Sequence, residues 1–165
     1  MKKKETSLRS IVGCLVIVLV FGLGYAFFSG KKQDEQFANV QAIYNQSLQL
    51  YKQGQYGKAL PLLRQVEGIQ TDSYAVRYNT GLALANTRDW NGAATEFKNV
   101  LDINPNNVED PVFMLQFAEI LTFAKKNDEA KMVLARCENL PIPQQIPDYK
   151  NEVNVLLAQL SASSR

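Results

Sequence analysis

Apolar positions follow two different patterns along this chain. Near the N-terminus they are continuous: residues 11–28 read Ile-Val-Gly-Cys-Leu-Val-Ile-Val-Leu-Val-Phe-Gly-Leu-Gly-Tyr-Ala-Phe-Phe, without a charge. Beyond residue 40 they are periodic. An alanine precedes a large apolar residue by four at Ala59 and Leu63, at Ala93 and Phe97, and at Ala130 and Leu134. A spacing of four puts both side chains on one face of a helix. The first two alanines are 34 residues apart and the next two 37. A period near 34 with this signature predicts an all-α array of helix-turn-helix repeats. Such an array offers a binding surface rather than an active site.

The pattern breaks at Leu140-Pro-Ile-Pro-Gln-Gln-Ile-Pro147, where Pro143 and Pro147 exclude a long helix. Asp148 can then N-cap a last helix. Its Val153, Leu156, Leu157 and Leu160 recur at i, i+3, i+4 and i+7, which predicts a capping helix packed on the third repeat. Terminal repeats are expected to be atypical, because one side faces water. Pro61 falls inside the second helix of the first repeat, where the lost hydrogen bond and ring clash cost about 3 kcal/mol and predict a kink.

The middle copy, residues 74–107, carries the most features. Gly81 and Leu84 lie on its first helix, Trp90 at the turn, and Ala93 and Phe97 on its second helix. It ends Leu101-Asp102-Ile103-Asn104-Pro105-Asn106-Asn107. The first copy, 40–73, has Ser47, Leu50, Tyr56, Ala59 and Leu63; the third, 111–139, has Met114, Ala118, Leu121, Asn127, Ala130 and Leu134. Three extra residues, Val108–Asp110, precede the third copy. With these residues in these places, the chain resembles the tetratricopeptide repeat family across residues 40–139. The resemblance implies a right-handed superhelix of three repeats, closed by the Pro-rich connection and capping helix of residues 140–165. It implies that Gly81 stands where two helices meet closely, that Ala93 makes the reciprocal approach, and that Phe97 fills the gap between successive hairpins. Arg77 departs from the pattern, standing where the family has a large apolar residue; Tyr74 or Tyr78 is expected to cover that spot.

In this family the first helices of successive repeats line a concave groove. Carried over by position, the groove would hold Tyr44, Asn45, Leu48, Tyr51 and Lys52, then Tyr78, Asn79, Leu82 and Asn86, then Leu115, Gln116 and Glu119. Tyrosine combines apolar area with a hydroxyl, and asparagine offers a donor and an acceptor to a peptide backbone. The family's chaperone-tail readers grip a C-terminal carboxylate with basic residues on successive first helices. The third repeat shows Leu115, Gln116 and Glu119 instead, so the expected ligand is an aromatic or apolar segment, a helix or a folded domain.

The N-terminus bears on the compartment. The uncharged run from Ser10 to Gly30 spans 21 residues, about 31 Å as a helix and enough to cross a hydrocarbon core. Lys2, Lys3, Lys4 and Arg9 precede it, and Lys31 and Lys32 follow. The positive-inside rule then leaves residues 1–10 in the cytoplasm and the repeats across the cell (inner) membrane, joined to the span at 11–30 by a segment, 31–39, that is either a tether or a continued helix. A cleaved signal peptide ending near Gly24-Tyr25-Ala26 would leave Phe27 and Phe28 at a soluble terminus. Ile11-Val12-Gly13-Cys14 resembles a lipoprotein box, yet the apolar stretch lies after Cys14, not before it. A signal-anchored receptor facing the cytosol is the opposite topology.

Composition removes most chemistry. There is no histidine, so neither a Ser-His-Asp nor a Cys-His site can be built, nor a histidine-ligated metal. Of two cysteines, Cys14 lies in the predicted span and Cys137 at a core position of the third repeat. Glu109 with Asp110, and Asp128 with Glu129, suit helix N-termini. Asp102-x-Asn104-x-Asn106 opens like a calcium loop but has Asn107 and Phe113 where glycine and glutamate are needed. Asn45-Gln46-Ser47 is a glycosylation triplet by pattern, placed mid-helix. Residues 33–165 carry 12 basic and 15 acidic residues, net charge −3, which gives no basic patch for nucleic acid. No catalytic residue, metal or cofactor is expected. The reading that follows is a non-catalytic, membrane-anchored scaffold or adaptor that binds a protein partner in its groove. The alternative is a structural subunit that self-associates, and an unrecognised carboxylate enzyme ranks behind both.

Overall fold

The computed structural model describes residues 31, 32 and 34–162. The predicted span at 11–30 lies outside the described residues; among those described, no helix is long and apolar enough to cross a membrane. The chain divides into two units, Met1–Ala42 and Ile43–Arg165. In the first, every described residue from 31 onward is helical, so the described part of segment 31–39 is helix and not an irregular tether.

The second unit starts with helix α1 over residues 43–52. There follow α2 (Tyr56–Glu67), α3 (Tyr74–Asn86), α4 (Trp90–Ile103), a 3₁₀ turn (Pro105–Glu109), α5 (Pro111–Phe123), α6 (Asn127–Cys137) and α7 (Tyr149–Ala162). Helices α1/α2, α3/α4 and α5/α6 follow one another as pairs, and the turn at 105–109 lies where the second spacing is longer. Asp110, read as a capping residue, accepts hydrogen bonds from the backbone N–H groups of Val112 and Phe113. Glu109 instead pairs with Arg136 on α6.

The turns within the repeats share one geometry. Gly54, Arg88 and Lys125 all have positive φ, at 71°, 67° and 58°. In each case the following N–H, of Gln55, Asp89 and Lys126, donates to a carbonyl five residues back, at Leu50, Leu84 and Leu121, over 2.9 Å. This is the Schellman closure, which satisfies carbonyls orphaned at the helix end. The next residues, Tyr56, Trp90 and Asn127, open the second helices. Helix α2 continues through Pro61. Both Pro61 and Gly57 are exposed, so water can serve the Gly57 carbonyl that loses its donor.

Phe97 is fully buried at the junction of repeats two and three. Its ring lies 4.9 Å from that of Phe113 and 5.8 Å from that of Phe117, both on α5, and 5.6 Å from Tyr78 on α3. A Cβ at Gly81 would fall 2.8 Å from Phe97 Cδ2 and 3.2 Å from Glu96 Cβ. Gly81 therefore lets α3 approach α4 at the ring, as the sequence implied. The buried apolar cluster around Phe97 extends from Leu84 on α3 to Leu160 on α7. A smaller one joins Ala59 and Leu63 on α2 to Ala83 on α3. Val153 and Leu160 are buried and Leu156 and Leu157 pack against the main cluster, so α7 caps the third repeat. Cys137 is a core residue, with its carbonyl accepting from the Tyr149 hydroxyl.

The departure at Arg77 has a different resolution from the expected aromatic cover. Tyr74 stacks on Tyr78 instead. Arg77 reaches Glu67 on α2 at 2.8 Å and Glu96 on α4 at 3.1 Å. Arg64 on α2 bonds the same two carboxylates, at 2.7 and 2.5 Å. Glu96 is 4% exposed; such burial is tolerable because Arg64, Arg77 and Asn99 all donate to its two oxygens. Burial alone would raise its carboxyl. Hydrogen bonds from Arg64, Asn99 and Arg77, together with the Arg64 charge, outweigh that and hold it below the ordinary 4.5.

Two predictions arise from this packing. Gly81→Ala should destabilise by about 1–2 kcal/mol, the overpacking cost less the gain in helix propensity. Denaturant unfolding measures this, and an unchanged midpoint would show that Phe97 can yield. Glu96→Gln should cost about 2 kcal/mol at neutral pH by leaving two guanidinium groups short of charge. Because the folded group is depressed, its contribution is present above 4.5 and lost as pH falls below it. Urea titrations across pH 3–7 should therefore show the wild type and the variant converging on the acid side.

Candidate functional site

The first helices α1, α3 and α5, with α7, form the face on which the groove was expected. Two side-chain rungs join α1 to α3. Asn79 Nδ2 donates to the Tyr44 hydroxyl at 2.8 Å, and Asn86 Nδ2 donates to the Tyr51 hydroxyl at 3.3 Å. Both asparagines use their other N–H on the carbonyl four residues back, at Ala75 and Leu82. A third rung joins α3 to α5, where the Tyr78 hydroxyl donates to Gln116 Oε1 at 2.7 Å. Desolvation raises all three phenols, so they stay neutral donors and acceptors at any physiological pH. The expected polar row is thus largely paired with itself. Each asparagine keeps its Oδ1 as an acceptor, and Tyr44 and Tyr51 keep their O–H as donors.

Two open cavities lie on this face. The first, about 270 Å³, is lined by Tyr51, Leu82, Ala85, Asn86, Trp90, Gln116, Glu119 and Ile120. The second, about 290 Å³, is lined by Leu115, Glu119 and Phe123 from α5 and by Asn151, Glu152, Val155, Leu156 and Gln159 from α7. Glu119 lines both. Beside it Trp90, from the first, stacks on Phe123, from the second, with ring centroids 4.6 Å apart and planes 21° from parallel. The last helix therefore forms a wall and leaves both cavities open.

Of the predicted residues, Tyr51, Leu82, Asn86, Gln116 and Glu119 converge on the first cavity, and Leu115, itself buried, floors the second beside Glu119. Tyr44, Asn45, Leu48, Lys52, Tyr78 and Asn79 line neither. Among them Asn45 and Lys52 are exposed, Leu48 is half-buried, and Tyr44, Asn79 and Tyr78 build the rungs. The residues that positional transfer missed are Ala85, Trp90, Ile120, Phe123 and the α7 wall. A signal existed: Glu152, Val155, Leu156 and Gln159 also recur at i, i+3, i+4 and i+7. Their mixed polarity hides that face from a purely apolar pattern.

Glu119 sits at the junction of the cavities with its carboxyl pushed up, first by desolvation and then by the charge of Glu152. Among the described residues no three histidine, cysteine, aspartate or glutamate side chains are grouped to hold a metal ion.

A tetratricopeptide repeat-like domain model matches residues 6–158. The chain belongs to this tetratricopeptide repeat-like family. The match takes in every described helix of the second unit to within its last turn, and it also takes in residues 11–30. No curated protein matches the chain in sequence. Among solved structures the fold is similar to that of the Yersinia enterocolitica type III secretion chaperone SycD in complex with a peptide of the translocator YopD. That likeness has a TM-score of 0.62 at 14% identity and covers 77% of this chain and 95% of the other. Another structure of the Yersinia enterocolitica translocator chaperone SycD gives 0.63 at 14% identity, over 76% of this chain and 85% of that one. At this identity the likeness concerns the tetratricopeptide fold alone.

Proposed function

We propose that this tetratricopeptide protein is a non-catalytic, membrane-anchored adaptor that binds an extended segment of a protein partner along α3 and α5. The observation that carries it is the pair of open cavities that share Glu119 and are each lined by one ring of the Trp90–Phe123 stack. Aromatic and aliphatic pockets with a few polar groups at the rim are what a peptide's side chains require. The free Oδ1 atoms of Asn79 and Asn86 add a second reason. Seven residues apart on α3, they are separated by about 10.5 Å. Each can accept a hydrogen bond from a donor on a ligand laid along α3. SycD, which shares the fold, holds a peptide of the translocator YopD, and this chain is read as holding a ligand of the same kind.

The anchor is part of the same proposal. Its support is the charge-free run from Ser10 to Gly30, the basic cluster Lys2, Lys3, Lys4 and Arg9 before it, and a family match that begins at residue 6. By the positive-inside rule the N-terminus is cytoplasmic and the repeats face the other side of the inner membrane. Tethering confines the groove near the bilayer and raises its effective concentration toward membrane-bound partners. Self-association through α7 has less to work with, because Val153 and Leu160 are buried and Val155 is the one large apolar residue of 153–160 that is exposed.

The test is cross-linking and partner recovery from membranes bearing the full chain. Asn86→Arg combined with Gln116→Arg should crowd the first cavity and lower recovery at least tenfold. Lys131→Ala, on exposed α6, should leave it unchanged. Equal recovery from all three proteins would sink the groove assignment.

A further inference from the structure

The chemistry of the ligand can be read one step further, on the footing of the groove just proposed. Glu119 projects from α5 to the wall shared by both cavities, and Glu152 faces the second from α7. No basic side chain lines either cavity. Among the described residues neither glutamate makes an ion pair, whereas the other close acid–base contacts, such as Lys98 with Glu129 and Arg136 with Glu109, are made elsewhere. The second cavity is therefore lined by two carboxylates and no base. Partial burial and then the charge of Glu152 disfavour ionisation of Glu119. A cation placed between them would remove both penalties at once. The flanking surface suits the rest of such a side chain: Phe123 is 51% exposed and stacked on Trp90, a platform for an alkyl stem or a guanidinium face. An anionic or carboxylate-ended segment would meet like charge here.

We propose that the partner segment carries a lysine or arginine whose cation lies between Glu119 and Glu152, with apolar side chains on either side entering the two cavities. This separates the chain from a reader of purely apolar segments. The basic residue sets the register, because only one place along the groove accepts it.

A displayed library of random twelve-residue peptides, selected on the purified full chain, tests this. Selected peptides should be enriched in lysine or arginine at one position flanked by apolar residues. Replacing that arginine by neutral citrulline in a synthetic copy should weaken binding about tenfold at low salt, with the difference shrinking as salt is raised. In Glu119→Gln/Glu152→Gln protein, citrulline and arginine peptides should bind alike. Glu152→Gln alone, on an exposed face, should halve the discrimination or more without disturbing the fold, as circular dichroism will show. If peptides bind through the groove without basic enrichment, or with acidic enrichment, the cation site is overturned while the groove stands. If no peptide in the library binds, the groove reading falls and the cation site with it.

Discussion

The structure depends on one close approach, that of α3 to α4 at Gly81. Only a missing Cβ leaves room for the Phe97 ring, and that ring carries the contact onward to Phe113 and Phe117 on α5. A single buried aromatic thus ties a repeat internally and joins it to the next. In a repeat array each unit is stabilised by its neighbours, so the position of α5 relative to α3, and with it the shape of the first cavity, is set by this ring. Tyr78 lies against the same cluster and hands the order on to Gln116 at the cavity wall.

Much of this was legible in the sequence, because it follows from size and spacing. Small residues at Ser47, Gly81 and Ala118, and large ones at Leu63, Phe97 and Leu134, mark helix pairs wherever they recur at the repeat period. What could not be read was the behaviour of groups whose partners lie far along the chain. Arg77 looked like a defect in an apolar site. Its partners, Glu67 and Glu96, are ordinary surface residues until the repeat brings them within 3.1 Å. The Schellman turns were similarly hidden, since Arg88 and Lys125 adopt a backbone state that only Gly54 advertises.

The candidate site shows the same division. Of the residues placed by positional transfer from the family, Tyr51, Leu82, Asn86, Leu115, Gln116 and Glu119 line the cavities. The transfer did not reveal which tyrosines and asparagines on that face pair with each other. Several of them pair with one another across helices, and the cavities are completed by residues at helix ends and on α7. Trp90 opens α4 and Phe123 ends α5, and their stack bridges successive helix pairs. Such a contact forms only when the pairs stack, which no single pair reveals. The rungs preorganise the face: side chains already held in place lose less freedom when a ligand arrives.

The anchor and the groove proposed above have one joint physical consequence. With both in place, the ligand would come from a chain that reaches the membrane surface, because a tether confines the search to that layer. The most direct measurement is photocross-linking in native membranes from a photoreactive residue at Asn86, with mass spectrometry of the products and Lys131 as the control position. The account predicts a discrete segment of another protein captured at Asn86 and absent at Lys131. Capture only of residues from this same chain, or the same products at both positions, would contradict it.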